Sequence, residues 1–154
     1  MIREKFLIQL SKEHHDFLIL AQLLKKDVPD YKGLPNNLND KILYAKDKFN
    51  SKIKSHFFTE QKIFDYLKDV DHIYTELCSE YENDHKIIER MLLNLNPNFS
   101  DIENLNEVGI KIYDHTRKEE RLLFQQLQST LTETQKKEIE KIIDNSKIEE
   151  EKDS

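Results

Sequence analysis

The chain has 154 residues, enough for one domain with a real core, and its two glycines, three prolines and 35% charged residues favour long helices over a sheet, whose hairpins need more turn residues. A formal charge of -6 argues against the clustered positive surface that nucleic acid or an anionic membrane requires, so neither partner is expected. One cysteine excludes an internal disulfide, the longest apolar run (Phe17 to Ala21) is too short to span a bilayer, and Met1 to Leu10 carries charges where a signal peptide would be apolar, which together predict a soluble, cytoplasmic protein.

From Ile2 to Lys26, residues Leu7, Leu10, His14, Phe17, Ala21 and Leu24 recur in steps of three and four, an apolar helical stripe interrupted by one histidine. Pro29, Gly33 and Pro35 make 27–37 a loop. A second helix over 38–68 carries Ile42, Phe49, Ile53, His56, Glu60, Ile63 and Leu67. After a break at Asp69 to Asp71, the third stripe runs Tyr74, Cys78, Tyr81, His85, Ile88, Leu92 and Leu95. Asn96-Pro97-Asn98 ends it, and Ser100-Asp101-Ile102-Glu103 has the form of a capping box. The fourth helix then buries Leu105, Val108, Ile112, His115, Glu119 and Leu122. Thr132 to Ile148 is amphipathic through Ile139, Ile142 and Ile143, a shorter helix packing outside the rest. The pattern predicts an all-α, up-down-up-down four-helix bundle with a short additional C-terminal helix, one domain over 1–148 and a frayed acidic tail over 149–154.

The sequence repeats at half length. His56-x-x-x-Glu60 recurs as His115-x-x-x-Glu119, and Glu13-His14 is matched by Asp84-His85, so a pseudo-twofold axis would relate the first two helices to the last two. A single histidine on an apolar stripe is ordinarily a neutral core residue satisfied by a hydrogen bond. Here each of four helices offers one at mid-stripe, two of them with a glutamate one turn onward, and burying two carboxylates without cations would be severely unfavourable. A metal site follows. Mixed imidazole and carboxylate donors suit iron or manganese better than magnesium or calcium, and a lone cysteine excludes a thiolate zinc cluster. His14 is preferred to His15 because it aligns with Leu7, Leu10 and Phe17, whereas His15 lines up with Ser11 and Gln22. Glu89, four residues after His85, is open between a further ligand and a polar residue at the stripe's edge. Glu120 points about 100° from Glu119, as a supporting or surface group. His72 lies off the stripe at the surface, and Cys78 is core packing.

The phrases Leu10-Ser11-Lys12-Glu13-His14-His15, His56-x-x-x-Glu60 and His115-x-x-x-Glu119-Glu120-x-x-Leu123-Phe124 resemble the motifs of the hemerythrin-like, HHE cation-binding domain family, over roughly residues 5–128. The resemblance implies a non-haem, oxygen-bridged di-iron centre, two iron ions with His14, His56, His85 and His115 as terminal ligands and Glu60 and Glu119 as bridges. The chain departs from the oxygen-carrying branch, which has a histidine where Glu89 stands and sets its fourth-helix carboxylate five residues after the histidine. The four-histidine, two-glutamate set is closer to branches tied to iron sensing, nitric-oxide stress and iron-centre repair. The resemblance thus implies a centre that binds or reacts with a small ligand (dioxygen, peroxide or nitric oxide) in sensing, scavenging or iron handling. The alternative is an iron-responsive protein-interaction module without redox turnover. No acid/base or nucleophile constellation for an organic substrate stands out, and enzymatic turnover is left open.

Overall fold

A computed structural model describes residues 2–153, and among them every regular element is helical. Helix α1 is Lys5–Leu24. Helix α2, Leu38–Lys48, runs through a π-helical turn at Phe49–Ile53 into α3, Lys54–Val70, forming one rod. Helix α4 is Ile73–Asn94. Helix α5, Ile102–Lys118, likewise passes through a π-helical turn, Glu119–Leu123, into α6, Phe124–Thr130. Helix α7 is Glu133–Asp153.

Local chemistry explains the starts. The Asn37 side chain accepts from the Asp40 N–H at 3.0 Å and opens α2. The capping box lies one residue later than the sequence pattern suggests: Asp101 accepts from the Asn104 N–H at 2.9 Å, and the Asn104 side chain accepts from the Asp101 N–H at 2.8 Å. Ser100 is spent elsewhere, its hydroxyl accepting from the Asn96 N–H at 2.9 Å to close the turn around Pro97.

Sequential rods are neighbours, α1 beside α2, α3 beside α4, and α4 beside α5, with α1 and α5 the most intimately packed pair closing the ring. Gly109 makes that closeness possible, because a Cβ there would come within 2.7 Å of the Ala21 carbonyl oxygen. The core divides into two apolar halves. One holds Phe17, Leu20, Phe49, Ile53, Ile88 and Ile112, and the other holds Leu10, Phe64, Leu67, Tyr81, Phe124 and Leu127. Between them lies a polar layer in which His14, His56, Glu60, Asp84, His85, His115 and Glu119 are all buried.

Two expectations are corrected here. Leu122 is not buried but 61% exposed, and Leu123 takes its place at 1%. Positions 115, 119, 123 and 127 are spaced four apart, so on an ideal α-helix they would drift by about 120°, whereas the extra residue of the π-helical turn reduces the drift to about 20°. The fifth helix is also not short, at 21 residues against 20 for α1. It packs on α1 and α3, and its Ile139 and Ile143 complete one apolar half of the core. The segment expected as a tail is helical as far as Asp153, and Ser154 lies outside the described residues. No helix among the described residues is long and apolar enough to cross a membrane.

Candidate metal centre

Each rod delivers one imidazole to the polar layer because its histidine replaces an apolar residue in mid-stripe. His14, His56 and His115 are 1–2% exposed, His85 is 7% exposed, and Glu60 and Glu119 are sealed. Their donor atoms form two overlapping groups able to hold a metal ion. His14 and His56 belong to one, His85 and His115 to the other, and Glu60 and Glu119 to both, with all donor atoms of a group within 4.8 Å of one another. His15, His72 and Glu89 are exposed and join neither group.

The outer nitrogens decide what the inner ones can do. The Nδ1–H of His14 donates to Glu120 at 2.7 Å, that of His56 to Glu13 at 2.8 Å, and that of His115 to Asp84 at 3.0 Å. These carboxylates are anchored in turn. Glu120 accepts from Arg3 at 2.7 Å and Ser11 at 3.1 Å, Glu13 accepts from Gln9 at 2.8 Å, and Asp84 accepts from Lys111 and Lys118, both at 2.8 Å. With the proton held at Nδ1, each Nε2 presents a lone pair inward. The Nε2 atoms of His14 and His56 lie only 3.1 Å apart, an arrangement that repels unless a cation or an added proton lies between.

The glutamates show the same preparation. Glu60 Oε1 lies 3.0 Å from His56 Nε2 and 3.2 Å from His85 Nε2, and Glu119 Oε1 is 3.2 Å from His85 Nε2 and in close contact with His115 Nε2. Even so, both Glu60 oxygens, Glu119 Oε2 and His115 Nε2 are buried with no hydrogen bond of acceptable geometry. Buried polar atoms in a native core are almost always satisfied, so convergent orphaned donors fit a bound cation.

Electrostatics follows from this crowding. Burial pushes the His56 imidazole toward its neutral form, but Glu60 and Glu13 outweigh it and raise its pKa to about 10. His115 is raised to about 9, where Glu119 and Asp84 overcome burial, and His14 and His85 also move up despite theirs. Burial alone would raise Glu119, yet His115 and the other imidazoles hold it well below the usual carboxylate range. Without an ion, protons supply the positive charge that the layer requires.

Placement of the first-helix histidine carries a direct expectation. His14→Ala removes a donor from one group and should lower metal content, whereas His15→Ala changes an exposed side chain and should leave it unchanged, both read by elemental analysis of purified protein. The reverse pattern would move the ligand one residue.

Spacing along the sequence assigns no role to Glu13 or Asp84. The signal was there, since each directly precedes a mid-stripe histidine, but each serves the histidine of the next helix. Glu120, left between support and surface, supports His14. In comparison with known proteins, the model of the family described as the hemerythrin HHE cation-binding domain matches residues 6–127. Neither a search of curated proteins nor one of solved structures gave a match.

Proposed function

Because this chain belongs to the hemerythrin HHE cation-binding domain family, we propose that its polar layer holds two iron ions, one by His14 and His56, the other by His85 and His115, with Glu60 and Glu119 shared. The supporting observation is that both Glu60 oxygens and Glu119 Oε2 are buried without a hydrogen bond, while each of the two glutamates is common to both donor groups. Iron fits better than magnesium or calcium because the donors mix imidazole with carboxylate, and with no thiolate among them a cysteine-bound zinc cluster is excluded. Cys78 is buried in the core, away from both groups.

A pair of irons held this way supplies adjacent redox-active, Lewis-acidic centres to dioxygen, peroxide or nitric oxide, and the proposed role is sensing, scavenging or iron handling in the cytoplasm. The chain contributes the rest. Glu13, Asp84 and Glu120 fix the tautomer and orientation of three imidazoles and make their Nε2 atoms better donors. Lys111 and Lys118 offset the charge of Asp84, so that this support is itself stable in the interior. The apolar halves on either side keep bulk water from the layer.

The test is the visible spectrum of aerobically purified, iron-loaded protein, before and after reduction and after exposure to each gas in turn. The proposal expects an iron-dependent band that bleaches on reduction and changes with at least one of the three ligands. A spectrum indifferent to reduction and to all three would contradict it.

A further inference from the structure

The carboxylates that back the imidazoles are anchored from different parts of the chain. Asp84 accepts from Lys111 and Lys118 on α5, and Glu13 accepts from Gln9 on its own helix. Glu120 accepts from Ser11 on α1 and from Arg3, which lies ahead of α1 and outside the residues 6–127 that the family model matches. The Arg3 guanidinium grips Glu120 twice: its Nη2 donates to the carboxylate at 2.7 Å and to the backbone carbonyl at 2.9 Å, inside the π-helical turn. It also lies over the Phe124 ring, 5.2 Å from the centroid.

Both residues that Arg3 grips touch His14. Glu120 accepts from His14 Nδ1–H, and the Phe124 ring stacks on the imidazole with 5.4 Å between centroids and 8° between planes. Arg3 is itself held in place. The Glu4 N–H donates to the Gln128 side chain at 2.8 Å, the Gln128 amide donates to the Ile2 carbonyl at 3.2 Å, and the Glu4 carboxylate accepts from Lys136 of α7 at 2.8 Å. Residues 2–4 are thereby tied to both α6 and α7. An ion pair on the surface contributes little, but the side chains of Arg3 and Glu120 are 18% and 19% exposed, and Arg3 Nε is enclosed with no hydrogen bond.

We propose that Arg3 is a positioning residue for His14, and that residues 2–4, docked on α6 and α7, form a clamp by which segments flanking the family domain hold that imidazole ready for the ion. The role toward the ion rests on the reading of His14 as an iron ligand. Without Arg3, Glu120 keeps Ser11 as its anchor, and its half-buried carboxylate can swing toward water and leave His14 Nδ1–H without its acceptor. Lysine is a poor replacement, because a single ammonium supplies the charge but neither the planar fork that meets carboxylate and carbonyl together nor the flat face that lies on Phe124.

The test has two arms, both on the full chain. In the ion-free protein, imidazole nitrogen NMR follows exchange of the His14 Nδ1–H with water. Arg3→Ala should speed that exchange about tenfold while leaving the His115 Nδ1–H, held by Asp84, unchanged, and Arg3→Lys should fall between wild type and Arg3→Ala. Lys5→Ala removes the same charge two residues onward, from a side chain that is 90% exposed, and should leave His14 unchanged. In the loaded protein, Arg3→Ala should surrender iron to a chelator several-fold faster than wild type. Unchanged exchange at His14, equal acceleration at His14 and His115, or the same effect from Lys5→Ala overturns the proposal. Faster exchange with unchanged iron release overturns the role toward the ion. A wild-type chain that holds no metal fails the iron reading above, whereas the coupling of Arg3 to His14 is decided by the ion-free arm alone.

Discussion

Glu119→Ala should empty both metal positions at once, taking metal content from about two ions per chain to well under one. The carboxylate is shared: its oxygens face His14 at 3.4 Å, His85 at 3.2 Å and His115 more closely, and it belongs to both donor groups. Removing it takes one carboxylate from both groups at once and leaves each with two imidazoles and a single glutamate that the two must share, so both positions bind more weakly and yield their ions to a chelator together. Glu60→Ala should behave alike, since Glu60 occupies the equivalent shared place. His14→Ala, by contrast, subtracts from one group only and should leave close to one ion behind. The discriminating measurement is metal content of the three variants after dialysis against a weak chelator. If Glu119→Ala and His14→Ala each retain half of the wild-type metal, the glutamate is not shared.

The second large effect is in stability, and its pH dependence has a definite sign. In the ion-free chain the imidazoles have raised pKa values, to about 10 for His56 and about 9 for His115, so they contribute stability in full below their ordinary value near 6.5 and lose it as pH rises through 9 to 10. Glu119, Glu13, Glu120 and Asp84 are held low and contribute above their ordinary range, losing that contribution as pH falls. The ion-free protein should therefore be most stable at mildly acidic pH and weaken toward alkaline pH. The loaded protein should change far less over the same range, because above about pH 6.5 the imidazoles carry no second proton either in the loaded native chain or in the unfolded one, and it should weaken only below that pH as protons compete with the ions. If each ion displaces about two protons, its apparent affinity rises about 100-fold per pH unit in this window, roughly 2.7 kcal/mol. For a chain of this size that is ~5–10 °C in Tm per pH unit while free metal is buffered in excess. Tm measured from pH 6 to pH 9 with and without metal should show the gap widening steadily. A constant gap would mean that the imidazoles are already neutral in the ion-free chain.

Much of this site is legible in the sequence because its physics is periodic. A donor in mid-stripe must face the core if the apolar residues around it do, so His14, His56, His85, His115, Glu60 and Glu119 can be placed in the interior from spacing alone. What spacing cannot give is pairing between helices. Glu13 and Asp84 sit beside histidines in sequence yet hold histidines on other rods, 43 and 31 residues away. Nor does a regular period anticipate the turn at Glu119–Leu123, where one extra residue sends Leu122 to solvent and brings Leu123 inward while Glu119 and Glu120 serve the same layer. The fifth helix is longer than its pattern suggests for a related reason: beyond Ile143 its sequence offers few apolar residues, and a strongly charged helix gives little periodic signal.

The claim on which the rest depends is that Glu60 and Glu119 join two irons into one unit, and Mössbauer spectroscopy of the oxidised, iron-loaded protein in a strong applied field tests it most directly. A diamagnetic ground state from two antiferromagnetically coupled high-spin ferric ions is the expected result. Two uncoupled paramagnetic ferric signals would contradict it.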